Sequence, residues 1–209
     1  TANILNYRDT DGSYLIDKIA DIAAQKGTGK WAGMTALSES VPLTLITESV
    51  YARCLSSQRT QRTETAEGFS GIQTKAPNAV GTSVAEQSDT AAAGNEILRI
   101  LHDALYAAKI ISYAQGFELI KTADVHHSWG IDLGGLALLW RGGCIIRSVF
   151  LEKISEAYIR NKDLRNLIAD PYFSEVLRRT QLALRQAVTF AVLNGVPVPA
   201  LFAALAWFD

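Results

Sequence analysis

Residues 95–122 repeat apolar side chains at helical intervals, through Ile97, Leu101, Leu105, Ala108, Ile111 and Leu119. They do so on more than one face, because Ile97 and Leu98, Ile100 and Leu101, and Ile110 and Ile111 are adjacent pairs that no single stripe contains. A helix apolar on several sides has to be surrounded by other helices, so this stretch predicts the central helix of a bundle. The rest of the chain must supply the helices that cover it.

Helical patterning does continue on both sides. Residues 11–24 put Leu15, Ile16, Ile19, Ile22 and Ala23 on one 3.6-residue stripe, with Thr10 or Asp11 as N-cap, which predicts a helix. Residues 31–57 stay helical except at Pro42, which marks a start or a kink. A further helix is expected from Asp132 or Gly135 to about Ile159. Asp170-Pro171 supplies an N-cap and a first-turn proline for a helix running to about Leu193. Asn194-Gly195 stops it ahead of Pro197 and Pro199, and a short helix over 200–208 follows. No β-alternation of useful length appears, so the expected fold class is all-α, a multi-helix bundle forming a single helical domain over residues 1–209. Between about 59 and 94, Thr, Ser, Gly, Ala and Gln dominate and large apolar residues thin to Phe69, Ile72, Val80 and Val84. That composition predicts a surface excursion with little core of its own.

The totals exclude several function classes. With 20 basic against 21 acidic residues the net charge is −1, which gives no reason to expect nucleic acid or an anionic membrane as partner. Apolar runs such as 134–140 are far too short to span a bilayer, and the first residues carry no signal-like core. Cys54 and Cys144 lie far apart without metal-ligand spacing, which predicts two buried reduced thiols and a cytoplasmic location. Adjacent His126 and His127 would diverge by about 100° on a helix, and His102 has no ligand spacing to them, so no metal site is expected. The strand, glycine triplet and helix that a dinucleotide fold requires are also missing.

Candidate chemistry concentrates at Gln25-Lys26-Gly27-Thr28-Gly29-Lys30-Trp31. Two glycines let backbone amides approach a ligand while Lys26 and Lys30 add charge and Thr28 a hydroxyl, a composition suited to a phosphate or carboxylate. The same string also reads as a helix stop followed by a turn with solvated lysines. Arg53, among apolar neighbours near a helix end, calls for an anion, either a structural carboxylate such as Glu48 or a phosphate. Arg141 and Arg147 flank Gly142-Gly143, which suggests ion pairs in a crowded bundle where another helix packs closely.

Several strings coincide in order: the Gln25 to Trp31 loop, Ala52-Arg53-Cys54-Leu55-Ser56-Ser57, Ser112-Tyr113-Ala114-Gln115-Gly116-Phe117, Trp140-Arg141-Gly142-Gly143-Cys144-Ile145-Ile146-Arg147-Ser148, and Gly195-Val196-Pro197-Val198-Pro199. Together they resemble the helical C-terminal domain of the 6-phosphogluconate dehydrogenase family, whose diagnostic signature the stretch from Ile19 to Trp31 is similar to. The resemblance implies oxidative decarboxylation of 6-phospho-D-gluconate to ribulose 5-phosphate and CO₂ with reduction of NADP⁺. It implies Lys26 and Thr28 as ligands of the substrate phosphate and Arg53 as the phosphate-binding arginine. It also implies a homodimer. In the family, NADP⁺ sits on a Rossmann domain that precedes this region. The proton-transfer lysine and glutamate stand on an earlier helix, and a C-terminal tail enters the partner's site. The expectation is therefore a segment with part of the phosphate site and dimer core, no catalytic residue of its own, and no activity alone. A truncated paralogue serving as a non-catalytic oligomerisation module is the alternative.

Overall fold

A computed structural model describes residues 2–24, 26–72 and 90–209. After a single helical turn at Ala2–Leu5, the helices in chain order are α1 (Thr28–Ser38), α2 (Thr44–Ser57), α3 (Arg59–Gly68) and α4 (Thr90–His127). They are followed by α5 (Leu133–Leu139), α6 (Leu151–Arg160), α7 (Pro171–Leu193) and α8 (Pro199–Phe208). Among the described residues the only β-type pairing is an isolated bridge between Arg8 and Tyr14. The fold is the all-α bundle that the periodicity predicts.

α4 is the axis of the bundle. Its Ala107, Ile110, Ile111, Ala114 and Phe117 are buried, and α7 lies along it with Phe173, Leu177, Leu184 and Val188 turned inward. From Ala104 onward the mixed apolar faces of α4 are explained by what covers them, α7 on one side and α2 and α8 on others, while Leu98, Leu101 and Leu105 stay exposed. α7 begins as its sequence dictates. The Asp170 carboxylate accepts from the Tyr172 amide at 3.0 Å and from Arg160 at 2.7 Å, and Pro171 fills the first turn.

Two helix expectations are overturned. Residues 11–24 are not a helix. Asp11 turns its carboxylate onto the Ser13 amide at 3.0 Å, and Lys18 bridges Asp9 and Asp11 at 2.6 and 2.7 Å. These local bonds compete with a helical start. A 3-10 turn at Leu15–Lys18 follows, then an extended run in which Ile19 and Ile22 are half exposed. The stripe is present, but no surface receives it.

The helix expected from Asp132 or Gly135 to Ile159 is also broken. α5 ends at Leu139, and turns carry the chain to α6, with Gly143 at φ 67°. A side chain on Gly142 or Gly143 would meet nothing within 4 Å, so the pair marks a turn and not a close helix contact. The stretch expected to be a surface excursion over 59–94 begins with helix α3, which buries nothing, as a segment with little core should; its far boundary differs, because Thr90 onward already belongs to α4. Val80 and Val84 lie outside the described residues. Cys54 and Cys144 are half-buried instead of buried, and no disulfide joins them.

Candidate functional site

α1 and α2 meet through small residues. Gly33 and Ala36 are buried, and a side chain on Gly29 would stand 2.6 Å from Val50 Cγ2, so glycine is what allows α1 to start this close to α2. Gly27, at φ 96°, is the N-cap of α1 and accepts the Trp31 amide at 3.0 Å. Having no side chain, it offers the first-turn amides no acceptor of its own. Thr28 therefore opens a helix whose N-terminus carries partial positive charge. Lys26, Thr28 and Lys30 are all exposed around it.

α2 is fixed from behind by Gln115 of α4. This side chain has no exposed surface; it accepts the Leu45 amide at 3.0 Å and donates to Thr44 Oγ1 at 3.1 Å. A buried amide satisfied on both ends sets the angle of α2 against the core. The Ser112 to Phe117 string held that residue, but sequence alone assigned it no role.

Further along α2, Arg53 is exposed, and its guanidinium donates to the carbonyl of Ala24. Glu48 is not its partner. An exposed arginine carries no obligation to find a carboxylate, which removes the premise of the structural reading. The contact puts Arg53 on the backbone just upstream of Lys26. The extended segment before the loop is held by further bonds: the Ala23 amide donates to Ser56 Oγ at 3.0 Å, and Arg62 donates to the Asp21 carboxylate at 2.8 Å and to the Asp21 carbonyl at 3.3 Å. Arg62, with a smaller contribution from Arg59, holds the Asp21 carboxyl below its ordinary range, the hydrogen bond from Arg62 contributing most. Lys26, Thr28 and Arg53 thus share one corner, edged by the N-terminus of α1. Such a corner can hold a phosphate, with point charge from Lys26, a hydroxyl from Thr28, a planar fork from Arg53 and amides from the helix end.

The other arginines behave differently. Arg141 pairs with Glu152 at 2.6 Å in the open, and Arg147 has no carboxylate partner among the described residues. Both line a hollow of about 600 Å³ with Lys109, which is not the crowded helix contact expected of them. His126 and His127 have a structural role: although adjacent on the helix, both reach the largely buried Glu39, the second at 3.3 Å. They tie the end of α4 to the end of α1. Among the described residues no group of three or more His, Cys, Asp or Glu could hold a metal ion. No described helix is long and apolar enough to cross a membrane.

Comparison with known proteins gives the corner its context. A family model described as the 6-phosphogluconate dehydrogenase C-terminal domain matches residues 1–209. The chain is 49% identical over 209 residues to the decarboxylating 6-phosphogluconate dehydrogenase of Treponema pallidum, covering 100% of this chain and 41% of that protein. It is 45% identical to the Mus musculus enzyme of the same name, again over 100% of this chain and 41% of the relative. Among solved structures it matches Plasmodium falciparum 6-phosphogluconate dehydrogenase, determined apo, with its cofactor NADP⁺ and with its substrate 6-phosphogluconate. That match has a TM-score of 0.86 at 36% identity and covers 99% of this chain and 42% of the other. The chain thus spans about two fifths of the length of the relatives it matches. With this fold and this match over its whole length, the chain belongs to the 6-phosphogluconate dehydrogenase C-terminal domain family.

Proposed function

We propose that the corner formed by Lys26, Thr28 and Arg53 binds the phosphate of 6-phospho-D-gluconate within a decarboxylating 6-phosphogluconate dehydrogenase. The reaction in this reading is oxidation and decarboxylation to ribulose 5-phosphate and CO₂ with reduction of NADP⁺. The single observation that carries it is the Arg53 guanidinium held on the Ala24 carbonyl, beside Lys26 and the open N-terminus of α1. A dianion at that point is met by two cationic side chains, a hydroxyl and helix amides. The phosphate is remote from the reacting carbons, so gripping it supplies orientation and binding energy, not chemistry.

The described residues contain no strand and no glycine turn joining strand to helix, so they do not fit a dinucleotide. NADP⁺, which the Plasmodium falciparum protein binds, is assigned in this reading to parts of the enzyme beyond this segment, together with proton transfer. No metal takes part, and the segment alone is inactive. A homodimer belongs to the same reading. It is supported by Leu98, Leu101 and Leu105, which form an exposed stripe at helical spacing on α4. A cytoplasmic setting fits two cysteines without a disulfide. The alternative of an oligomerisation module without chemistry is not favoured, because the matched relatives are named as dehydrogenases.

Calorimetric titration of 6-phosphogluconate into the chain and into Arg53→Ala tests the site. Measurable binding that Arg53→Ala abolishes is expected. Equal, negligible heats from both would overturn the assignment. Light scattering tests the dimer, and a monomer at moderate concentration would count against it.

A further inference from the structure

Arg62 stands on α3, in the stretch whose composition promised only a surface excursion, yet its guanidinium is aimed inward. Nη1 donates to Asp21 Oδ2 at 2.8 Å, while Nη2 donates to the Asp21 carbonyl at 3.3 Å and to the Ser56 carbonyl at 3.0 Å. Its Nε is shut off from solvent without a partner, so the group is pressed into the crevice between the extended segment and α2. A guanidinium so placed is not available to a ligand, but it joins three pieces of backbone that no secondary structure joins. Asp21 also has Arg59 at 3.5 Å, a looser and more exposed contact.

The consequence lies downstream. Asp21 is the first anchor of the segment, followed by Ala23 on Ser56 and Ala24 on Arg53. Beyond the loop, Gly29 lies against Val50. The stretch bearing Lys26 and Thr28 is therefore pinned at both ends to one helix, α2, the helix that carries Arg53. We infer that Arg62 is a positioning residue for the phosphate site: through Asp21 and Ser56 it sets the register between the Lys26–Thr28 loop and Arg53. It touches no phosphate itself. This rests on the phosphate assignment above, and it extends the site into α3.

The test uses the ¹⁵N-labelled chain, with amide exchange measured before any ligand is added. Arg62→Ala is expected to lose the protection of the Ala23 amide and to speed exchange at the Trp31 amide, while α4 and α7 exchange as before. Unchanged exchange at Ala23 would overturn the inference whether or not the chain binds substrate. 6-Phosphogluconate is then titrated. Arg62→Ala should weaken binding by about tenfold, as expected when a charge-assisted tie is lost. Arg62→Lys, which keeps the ion pair but not the fork, should recover part of it. Because α3 buries nothing and Asp21 is exposed, the melting temperature should fall only slightly, about as far as for Asp21→Asn. Binding by Arg62→Ala equal to the unsubstituted chain, with Arg53→Ala abolishing it, would overturn the positioning role and leave the phosphate site standing. Failure of the phosphate site itself would appear as identical titrations of the unsubstituted chain and Arg53→Ala, with the exchange result still deciding the role of Arg62 at the loop.

Discussion

The α4–α7 core and the α1–α2 corner are held together by different forces. In the core, Ile110, Ile111, Phe173 and Leu184 have no exposed surface, and cohesion comes from burial and close packing. At the corner, Trp31 and Tyr51 are 66% and 61% exposed, and the loop is fixed by Arg53, Ser56 and Arg62 on backbone carbonyls, an amide and one carboxylate. A region with few buried contacts and many solvent-facing bonds opens at lower cost than a core. It leaves its cations available to a ligand and its apolar rings available to other surfaces. The α1–α2 corner is thus the less stable part of this domain, and in the proposed reading the core presents it to the substrate.

The largest effect that would break this contrast is in the core. Phe173→Ala removes a fully buried ring packed edge-on to Phe150 and Tyr172, and should cost about 3–5 kcal/mol in denaturant unfolding. Trp31→Ala, at the corner, should stay within about 0.5 kcal/mol. Similar losses from both would show that the corner is as tightly integrated as the core.

Next comes the joint between the two regions. Gln115→Leu keeps the shape of the side chain but leaves the Leu45 amide and Thr44 hydroxyl without their partner, at a cost of about 1–3 kcal/mol. Because α2 also carries Arg53, affinity for 6-phosphogluconate should fall with it. Gly29→Ala acts on the loop alone. Its methyl would meet Val50 Cγ2 at 2.6 Å, and Val50 is β-branched, so α1 must shift and phosphate binding should weaken with a stability loss of about 1–2 kcal/mol. If Gly29→Ala binds normally, the loop is looser than its contact with α2 suggests.

The same contrast decides what the sequence could reveal. α4 and α7 were legible because a core imposes a period: Ile97 to Leu119 repeat helically, and Asp170-Pro171 announces a start by local chemistry. Residues 11–24 carry an equally good stripe and do not fold as a helix. Periodicity states which face could be buried, but not whether another surface exists to bury it. Lys26, Thr28 and Arg53 emerged from resemblance, while composition left the loop as a helix stop or an anion site. The groups that hold the corner were not legible at all. Arg62 and Asp21 are 41 positions apart, and His126 meets Glu39 across 87. Spacing rules see neighbours on one helix, and these ties join separate elements. Gly142-Gly143 failed in the opposite sense, because the glycine cost was read as close packing when it marked a turn.

The smallest predicted effect separates the regions by sign. Asp21 at the corner has a folded-state pKa lowered by Arg62, so its stabilising contribution is present above its ordinary value near 3.8 and is lost as pH falls through the lowered one. Glu118, on the flank of the core and bonded to Asn166 at 2.9 Å, has its pKa raised by burial, a cost that the Asn166 bond only partly offsets. Its contribution is fully present below about 4.5 and is lost as pH rises through the raised value. Asp21→Asn should therefore lower the melting temperature at pH 7 and approach the unsubstituted chain in acid. Glu118→Gln, which retains an acceptor for Asn166, should raise it slightly at pH 7 and show no gain below pH 4.5. Glu118 is also one reason that Tyr158, pushed up to about 12 mainly by burial, resists ionisation, so Glu118→Gln should shift the alkaline tyrosine absorbance titration to lower pH. Melting curves at pH 4 and pH 7 that move in the same direction for both variants would mean that the corner and the core answer to one electrostatic environment, and the distinction between them would fail.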